Sequence, residues 1–551
     1  MPPVQPLKLL VIGVDGADYA RVTRWLGEGR LPRLAALRDE GAFGPLRSTV
    51  PALTPPAWST MLTGMNPGGH GVFEWFPLTG EGGASPVAAR RRARTIWEAL
   101  SDAGWQVGTY NVPTTYPPEP LSAFQVSGFD APALRPDMAH PPEALQVVLS
   151  AVGTYELYPH SILDINCDFA DVARHLDLPR DGINALLEAY PCDAAMVVFQ
   201  VIDWLQHRHL GEPRSDGRDL VEEGYAILDE RIGQILDRWC GPETTVVILS
   251  DHGGTLTTRL INLEKVFQDR GLLAYRAPGD GGREAYERRR RIARLSLSAW
   301  TLLKAKLPRL ARILAPAARR ARGKLASYHE GAEIDWEHTK AVPWGVDGAI
   351  RLNVQGRDAH GSVAPGEVDA VRQEVIDALM TLRDPVTREP ICRGVRTREE
   401  LYTGPYADEG PDLVVDTADP RCLCVSYRDT GELPMLDVQP EDVVVLDPPW
   451  CIHDPYGILL AAGPAFEPGS APDEAGLADV VPTILAALGL PVPAGLDGRV
   501  LMEVLASSHL DSHPLRVGPP WPAPDAATGG GFSTQDDEAA VEERLRDLGY
   551  L

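Results

Sequence analysis

Short apolar runs rich in β-branched residues recur along the chain, and segments with helical periodicity separate them. Four runs predict buried strands, at residues 7–14, 194–202, 246–249 and 456–463. Helices are predicted between and after them, including residues 95–103, 219–239 and 477–488. Continuous apolar runs are typical of parallel strands that are covered on both faces. The pattern therefore predicts an α/β fold with a mostly parallel central sheet flanked by helices.

Acidic residues and histidines directly follow three of these predicted strands. The positions are Asp15 after the first strand, Asp203 and His207 after the second, and Asp251 and His252 after the third. Ligand sites of open α/β sheets lie beyond the carboxyl ends of strands. Oxygen and nitrogen donors together suit Zn²⁺ or a similar divalent ion, and the spacing of four puts Asp203 and His207 on one helical face. Asp15 and Asp251 have the alternative role of capping the helices that follow them.

Thr54 precedes two prolines, in a stretch that leads from a strand ending near residue 50 into a helix at 54–64. Proline is favoured in the first turn of a helix, which predicts that Thr54 is the N-cap. A cap is the ordinary role, but a hydroxyl beside a divalent metal ion can instead lose its proton and attack phosphorus. His70 is interpreted as structural, and the proline-rich segment 112–192 is expected to be irregular with short helices.

The second half of the chain contains a smaller region and then returns to the main sheet. Residues 335–440 predict an α+β cap, and His453 is expected in a loop just before the strand at 456–463. The predicted organisation is a catalytic core at 1–275 and 441–510, a basic helical insertion at 276–334, the cap at 335–440, and a linker with a C-terminal helix at 511–551.

Composition narrows the possible functions. The 551 residues are 44% hydrophobic and 23% charged, as in ordinary globular proteins. The formal net charge of −25 argues against a protein that binds a nucleic-acid polymer or an anionic membrane through its overall charge. Seven scattered cysteines without a CxxC pair favour a reducing compartment. We identify no signal peptide and no apolar span of about 18 residues, so a cytoplasmic location is expected.

One segment departs from the acidic average. Residues 283–324 contain 14 lysines and arginines against two glutamates, a local net charge of +12, interleaved with leucines at helical spacing. A helical hairpin that docks its basic face on the acidic body is the simplest interpretation. A peripheral contact with anionic lipid, or a lid near an anionic substrate, are the alternatives.

The candidate residues combine into a pattern of seven side chains: Asp15, Thr54, Asp203, His207, Asp251, His252 and His453. Their order and settings resemble the alkaline phosphatase superfamily, and within it the type I phosphodiesterase / nucleotide pyrophosphatase branch. The matching stretches include Asp15-Gly-Ala-Asp18, Thr54-Pro-Pro-Ala-Trp58, Ser250-Asp-His-Gly253 and Asp479-Val-Val-Pro482. The resemblance covers residues 1–275 and 335–505.

The resemblance implies an alkaline-phosphatase-like fold and a site with two divalent metal ions. Zn²⁺ is the usual ion in such proteins, and Mn²⁺ or Mg²⁺ also occur. One ion would be held by Asp15, Asp251, His252 and the Thr54 oxygen. The other would be held by Asp203, His207 and His453. Thr54 would attack phosphorus and form a phospho-threonine intermediate.

The implied substrate is a small phosphorylated molecule, and a phosphodiesterase is the most specific expectation. Nucleotide pyrophosphatases have an Asn three residues after the nucleophile where this chain has Ala57, so nucleotide specificity is not implied. No cysteine precedes Cys167, which disfavours a sulfatase. A phosphomonoester or phosphonate hydrolase of the same superfamily is an alternative, and so is a catalytically silent scaffold at a membrane surface. The sequence does not predict an oligomeric state.

Overall fold

In the computed structural model, the described residues are 5–75, 91–164, 166–211, 217–276, 334–345, 347–419, 421–425, 442–522, 537, 540–541 and 543–545. The strands are β1 Leu9–Val14, β2 Gly41–Arg47, β3 Val107–Val112, β4 Phe124–Ser127, β5 Ala139–His140, β6 Ala194–Phe199, β7 Thr245–Leu249, β8 Gly253–Asn262, β9 Ala341–Pro343, β10 Ala349–Leu352, β11 Cys392–Thr397, β12 Leu413–Thr417, β13 Cys422–Val425, β14 Val443–Asp454, β15 Tyr456–Ala462, β16 Ala475–Gly476, β17 Val492–Pro493 and β18 Val517–Gly518. The helices are α1 Tyr19–Gly27, α2 Pro32–Glu40, α3 Thr54–Thr63, α4 Pro67–His70, α5 Ile96–Asp102, α6 Glu143–Val152, α7 His160–Leu163, α8 Phe169–Ala189, α9 Val201–His209, α10 Leu220–Trp239, α11 Leu263–Asp269, α12 Val368–Met380, α13 Arg398–Leu401, α14 Val480–Ala487 and α15 Ser507–Ser512.

The largest sheet of the described residues has the strand order β16-β2-β15-β7-β1-β6-β3-β4-β5. Its centre, from β7 to β4, is parallel throughout, and β15 joins it antiparallel to β7 and β2. Side chains alternate across β1, so that Leu10 and Ile12 pack on one face and Leu9 and Val11 on the other. Helices α8 and α10 cover the first face, and α3 and α14 cover the second. The predicted α/β fold, with a mostly parallel sheet flanked by helices, is confirmed.

A second sheet, in the order β11-β12-β10-β9, forms in the region predicted as the α+β cap. Helix α12 packs on it through Val371, Val375 and Leu379, within a separate hydrophobic cluster. The short sheet β13-β8-β14 joins this region to the main sheet, because β8 begins directly after β7 and β14 leads into β15. The division of the chain into domains remains a prediction.

The predicted basic insertion at 276–334, apart from its two end residues, lies outside the described residues, and so does its suggested lipid contact at 283–324. The flanks of this segment meet, since Tyr275 and Ile334 form an antiparallel bridge and the Asp335 amide donates to the Ala274 carbonyl over 2.9 Å. Within the described part of the chain, no helix is long and apolar enough to span a bilayer.

The expectation of an irregular segment at 112–192 is wrong for its second half. Helix α8 runs for 21 residues, and the side chain of Asp168 accepts from the first free amides to cap it. Pro179 and Gly182, which normally disfavour helix interiors, both lie inside it and are buried. Gly182 leaves room for the Tyr110 ring, because a Cβ there would approach the Tyr110 Cε1 to 2.5 Å. Tertiary packing therefore overrides the local helix-breaking signal.

Candidate metal centre and nucleophile

The site lies where three parallel strands end. Val14, the last residue of β1, pairs with Phe199 of β6, and Gly13 pairs with Leu249 of β7. The residues that follow these strands therefore emerge at one edge of the sheet. They carry the predicted aspartates Asp15, Asp203 and Asp251.

The first group consists of Asp15, Asp251 and His252, all wholly buried, with donor atoms within 4.8 Å of one another. The His252 Nε2 lies 3.6 Å from Asp15 Oδ1 and 3.2 Å from Asp251 Oδ2. Neither of those two oxygens has a hydrogen-bond partner among the described residues. Buried carboxylate oxygens without partners are costly unless a cation compensates them. This group is therefore suited to hold a divalent ion.

Thr54 faces this first group, but it does not cap its helix as the sequence predicted. The N-cap is Leu53, and the Thr54 hydroxyl makes no bond to the amides of α3. Pro55 and Pro56 lack the N–H groups that a capping hydroxyl could use nearby. The buried Thr54 Oγ1 instead lies 3.3 Å from the His252 Nε2. The hydroxyl is thus directed at the donor atoms of the group.

The second group consists of Asp203, His207 and His453, whose donor atoms also lie within 4.8 Å of one another. Asp203 and His207 are one turn apart on α9, as predicted, and the His207 Nε2 lies 3.3 Å from Asp203 Oδ2. His453 belongs to strand β14, so its predicted position in a loop is wrong. Strand β14 pairs antiparallel with β8 in a register that sets His453 opposite Gly254. Strand pairing thus brings His453 next to the residues that follow Asp251.

The orientation of His453 favours a cation between the two histidines. Its Nδ1 lies 2.7 Å from the Ala52 carbonyl oxygen, which can only accept, so the proton is on Nδ1. The Nε2 then presents a lone pair toward the His207 Nε2, 3.1 Å away. A metal-binding histidine is typically oriented in this way by a carbonyl on its other nitrogen. The donor set of the second group therefore also suits a divalent ion.

The two groups adjoin each other, and the charges of one affect the pKa values of the other. The rings of His252 and His453 stack with centroids 3.7 Å apart. Burial, reinforced by the charges of Asp251 and Asp203, raises the pKa of Asp15 well above its usual value. Burial likewise raises the pKa of Asp251 to about 6, although His252 opposes the shift. Burial also opposes the ionisation of Asp203, but His207 holds its pKa below the usual value.

Several supporting contacts were not predicted from the sequence. The Trp58 indole donates to Asp15 Oδ2 over 3.2 Å, and the Gln206 amide donates to the Gly16 carbonyl over 2.7 Å. Asp347, in the turn between β9 and β10, interacts electrostatically with His207 and with His252. The Gly345-Val-Asp-Gly348 stretch signals a tight turn, but the sequence does not indicate what that turn faces.

His70 has the structural role that the sequence suggested. It is buried, its Nε2 lies 3.0 Å from the Thr60 hydroxyl, and its Nδ1 accepts from the Val72 amide over 3.1 Å. Burial lowers the pKa of His70 to about 3, so the ring is neutral at physiological pH. The histidine links α3 to the loop after α4 and stands outside both groups.

The sequence matches the family model described as type I phosphodiesterase / nucleotide pyrophosphatase over residues 9–441. The chain belongs to this family. Its suggested place in the alkaline phosphatase superfamily is thereby confirmed, and so is its class as a phosphoester-hydrolysing enzyme. The matched segment contains six of the seven predicted site residues. His453 lies beyond it and joins the site through the β8–β14 pairing.

Similar solved structures include two ectonucleotide pyrophosphatase / phosphodiesterases and a phosphonoacetate hydrolase. Human ectonucleotide pyrophosphatase / phosphodiesterase 5 is 14% identical with a TM-score of 0.45, over 91% of this chain and 100% of the other. The murine protein, an inactive variant in complex with AMP, is 13% identical with a TM-score of 0.48 over the same shares. Phosphonoacetate hydrolase from Sinorhizobium meliloti 1021, in complex with phosphonoformate, is 15% identical with a TM-score of 0.49, over 88% and 95%. A search of curated protein sequences finds no match.

Proposed function

We propose that this family member is a metal-dependent phosphodiesterase with two divalent ions and Thr54 as its nucleophile. The observation that carries the proposal is the position of the Thr54 hydroxyl, 3.3 Å from the His252 Nε2. The same nitrogen adjoins two buried carboxylate oxygens that have no hydrogen-bond partner among the described residues. Family membership supports phosphoester hydrolysis as the reaction.

The six donor residues divide into the two sets described above. Asp15, Asp251 and His252, with the Thr54 oxygen, would hold one ion, and Asp203, His207 and His453 would hold the other. Three carboxylates and three imidazoles suit Zn²⁺, with Mn²⁺ or Mg²⁺ as alternatives. When bound, such ions supply Lewis acidity for the phosphoryl oxygens and lower the pKa of hydroxyl groups and water.

The chain's own residues then have distinct roles. The Thr54 hydroxyl loses its proton and its oxygen forms a bond to phosphorus, while the bond from phosphorus to the leaving oxygen breaks and that oxygen takes up a proton to leave as an alcohol. Water then attacks the same phosphorus, the bond from phosphorus to the Thr54 oxygen breaks, and a proton from the water restores the Thr54 hydroxyl. The carbonyl of Ala52 keeps the His453 proton on Nδ1, and the Trp58 indole fixes one oxygen of Asp15. Burial of these groups excludes bulk water from their charges.

The proposal is tested with the 551-residue protein and bis(p-nitrophenyl) phosphate. We expect the protein, once stripped with a chelator, to release p-nitrophenol only after Zn²⁺ or Mn²⁺ is restored. Thr54→Ala should lower kcat at least about a thousandfold, as expected for loss of a nucleophile, while bound metal measured by mass spectrometry is largely retained. Thr54→Ser should keep measurable activity because it retains the hydroxyl.

Thr63→Ala is the matched control on the same helix. The Thr63 hydroxyl is buried like that of Thr54 but donates to the Ser59 carbonyl of its own helix over 2.8 Å. This variant should lose some stability and keep kcat within a few-fold. Unchanged turnover by Thr54→Ala, or turnover by metal-free protein, would rule out the proposed mechanism.

A further inference from the structure

Strand β3 ends in an irregularity at Asn111, next to strand β6. The consecutive residues Val126 and Ser127 of β4 pair with Tyr110 and Val112, which leaves Asn111 as an extra residue, a β-bulge. Asn111 has a φ of 64°, in the left-handed region that asparagine tolerates better than most residues. Such a bulge turns a side chain away from the regular alternation of the strand.

The Asn111 side chain continues the pairing of β3 with β6 beyond its last backbone pair. That pair is Tyr110 opposite Val197. One step further along, the Asn111 Nδ2 donates to the Val198 carbonyl over 3.0 Å and also to the Gln200 Oε1. In return, the Gln200 Nε2 donates to the Asn111 carbonyl. The two amides form a reciprocal pair that ties the end of β3 to the residue after β6.

The orientation of both amides is fixed by their partners. The carbonyls of Val198 and Asn111 can only accept, so each must face an amide nitrogen. The Tyr155 hydroxyl donates to the Asn111 Oδ1 over 3.0 Å. Asn111 and Gln200 are 6% and 1% exposed, and every nitrogen and oxygen of their side-chain amides has a partner. A buried network that is fully paired in this way holds its members rigidly.

Gln200 connects this pair to the helix that carries part of the second candidate metal group. It is the N-cap of α9, and its carbonyl accepts from the amides of Asp203 and Trp204 over 3.1 and 3.4 Å. Its side chain makes no capping bond and is bound to Asn111 instead. The first turn of α9, which contains Asp203, therefore begins at a residue that Asn111 holds in place.

The first candidate metal group is held by other contacts. Asp15 follows β1 and Asp251 follows β7, and these two strands pair directly with each other, whereas β3 lies on the far side of β6. The Gly16 amide donates to the Asp251 Oδ1 over 3.3 Å. A change at Asn111 should therefore affect the second group and spare the first.

We propose that Asn111 is a positioning residue for the second candidate metal group, which it holds in place through Gln200 and the start of α9. This inference rests on the proposed function, since it requires that Asp203, His207 and His453 bind a divalent ion. It makes the affinities of the two ions depend on different parts of the chain.

Asn111→Gly removes the amide and keeps the left-handed backbone, which glycine adopts readily. Chelator-stripped wild type, titrated with Zn²⁺ against a chromogenic chelator, should bind two ions per chain. In Asn111→Gly the apparent Kd of one ion should rise at least about tenfold while that of the other stays within about twofold, as expected when a group that orients metal ligands is lost. Turnover of bis(p-nitrophenyl) phosphate should fall with the occupancy of the weakened ion and recover at high zinc concentration.

Variants with a single remaining group identify which ion is affected. Asp251→Asn should leave one ion in the second group, and Asp203→Asn should leave one ion in the first. Adding Asn111→Gly should weaken the remaining ion in the Asp251→Asn background and have no such effect in the Asp203→Asn background. The reverse pattern would overturn the inference.

Asn353→Gly is the matched control. Asn353 is 2% exposed, and its side chain donates to the carbonyls of Trp336, Thr339 and His360 over 3.0, 2.9 and 3.0 Å in the region of the second sheet. This variant should lose stability, as expected for a buried amide, and bind both ions as the wild type does.

Gln200→Met breaks the pair from the other side while it keeps the N-cap carbonyl, so it tests the same inference if Asn111→Gly does not fold. It should show the same selective loss of one ion. Wild-type affinity for both ions, or equal weakening of both, would overturn the inference while the wild type still binds two ions and turns over substrate. A wild type that binds no zinc and releases no p-nitrophenol would instead overturn the proposed function, and this inference with it.

Discussion

A buried indole shows how single residues prepare the first group for a cation. Trp58 is wholly buried on α3 and its N–H donates to Asp15 Oδ2, while Asp15 Oδ1 has no partner among the described residues. One oxygen of the carboxylate is therefore fixed and the other remains available. Gly13 on β1 leaves space for the indole, since a Cβ there would collide with the Trp58 ring. The nucleophile helix and the first aspartate are thus matched to each other.

Asp130 is also buried but belongs to neither candidate metal group. Its Oδ2 accepts from the Thr114 amide over 2.9 Å, and its Oδ1 has no partner among the described residues. Burial raises the pKa of Asp130 from 3.8 to about 6. Because the folded protein favours the protonated form, the stability associated with this group is greatest below pH 4. It is lost as the pH rises through 6.

Asp130→Asn tests whether Asp130 makes the stability of the protein depend on pH. The variant cannot ionise, so its free energy of unfolding relative to wild type should increase by about 2–3 kcal/mol between pH 4 and pH 7.5, the equivalent of two pKa units. Urea unfolding across that pH range provides the measurement. Asp39→Asn, at an exposed aspartate, should show no such trend. A flat difference for Asp130→Asn would mean that the carboxylate is compensated in solution.

At the scale of elements, the turn after β1 determines where α9 can lie. Gly16 has a φ of 71°, and its amide donates to Asp251 Oδ1 over 3.3 Å. A Cβ at this position would lie 2.7 Å from the Asp203 Oδ1 and 2.8 Å from the Asp203 Cβ. The backbone at Gly16 and the side chain of Asp203 in the first turn of α9 are therefore in close contact, and no space remains for a side chain at residue 16.

Gly16→Ala should consequently impair metal binding as well as stability. A left-handed alanine costs roughly 1–2 kcal/mol wherever it occurs. At Gly16 the new methyl group also displaces Asp203, so we expect the apparent Kd for Zn²⁺, measured by competition with a chromogenic chelator, to rise at least about tenfold. Gly29→Ala is the matched control, with a φ of 72° and no atom within 4 Å of its Cβ.

Gly29→Ala should lose stability by a similar amount and bind zinc as the wild type does. Equal zinc affinities in the two variants would show that Asp203 moves away without cost, and would contradict a close fit between this turn and α9. Differential scanning fluorimetry with and without zinc separates the two contributions, since only Gly16→Ala should reduce the stabilisation that the ion provides.

The sequence predicts those parts of the site that follow directly from a strand. Asp15, Asp203 and Asp251 are predictable because parallel strands end at the same edge of a sheet. The strand position of His453 is not predictable in this way, because it depends on pairing between β14 and β8, which are remote in sequence. The prediction that Thr54 caps its helix is wrong because the two prolines that indicate a helix start also lack the amide protons that a cap would bind. The electrostatic interactions of Asp347 with His207 and His252 are not predictable either, because these residues are remote in sequence.

At the scale of the whole molecule, the last described residues pack against the loop that follows β4. Val541 and Leu545 are buried in the largest hydrophobic cluster. The Arg544 guanidinium donates to the carbonyls of Phe129 and Ala131 over 2.6 and 2.7 Å, and to that of Pro132 over 3.1 Å. The Phe129 ring packs edge-on against Trp204, the residue that follows Asp203 in the sequence, with centroids 5.6 Å apart. The C-terminal segment thus supports the loop that packs on α9, the helix that carries Asp203 and His207.

Arg544→Ala should therefore destabilise the protein and weaken substrate binding together. Three carbonyls lose their donor, which predicts a loss of about 2–4 kcal/mol in the free energy of unfolding. The released loop lets Phe129 move against Trp204, so KM for bis(p-nitrophenyl) phosphate should rise several-fold while kcat changes less. Arg516→Ala is the control, because Arg516 is exposed and donates to the single carbonyl of Gly489 over 2.6 Å. If Arg544→Ala lowers stability but leaves KM at the control value, the C-terminal segment stabilises the fold without shaping the site.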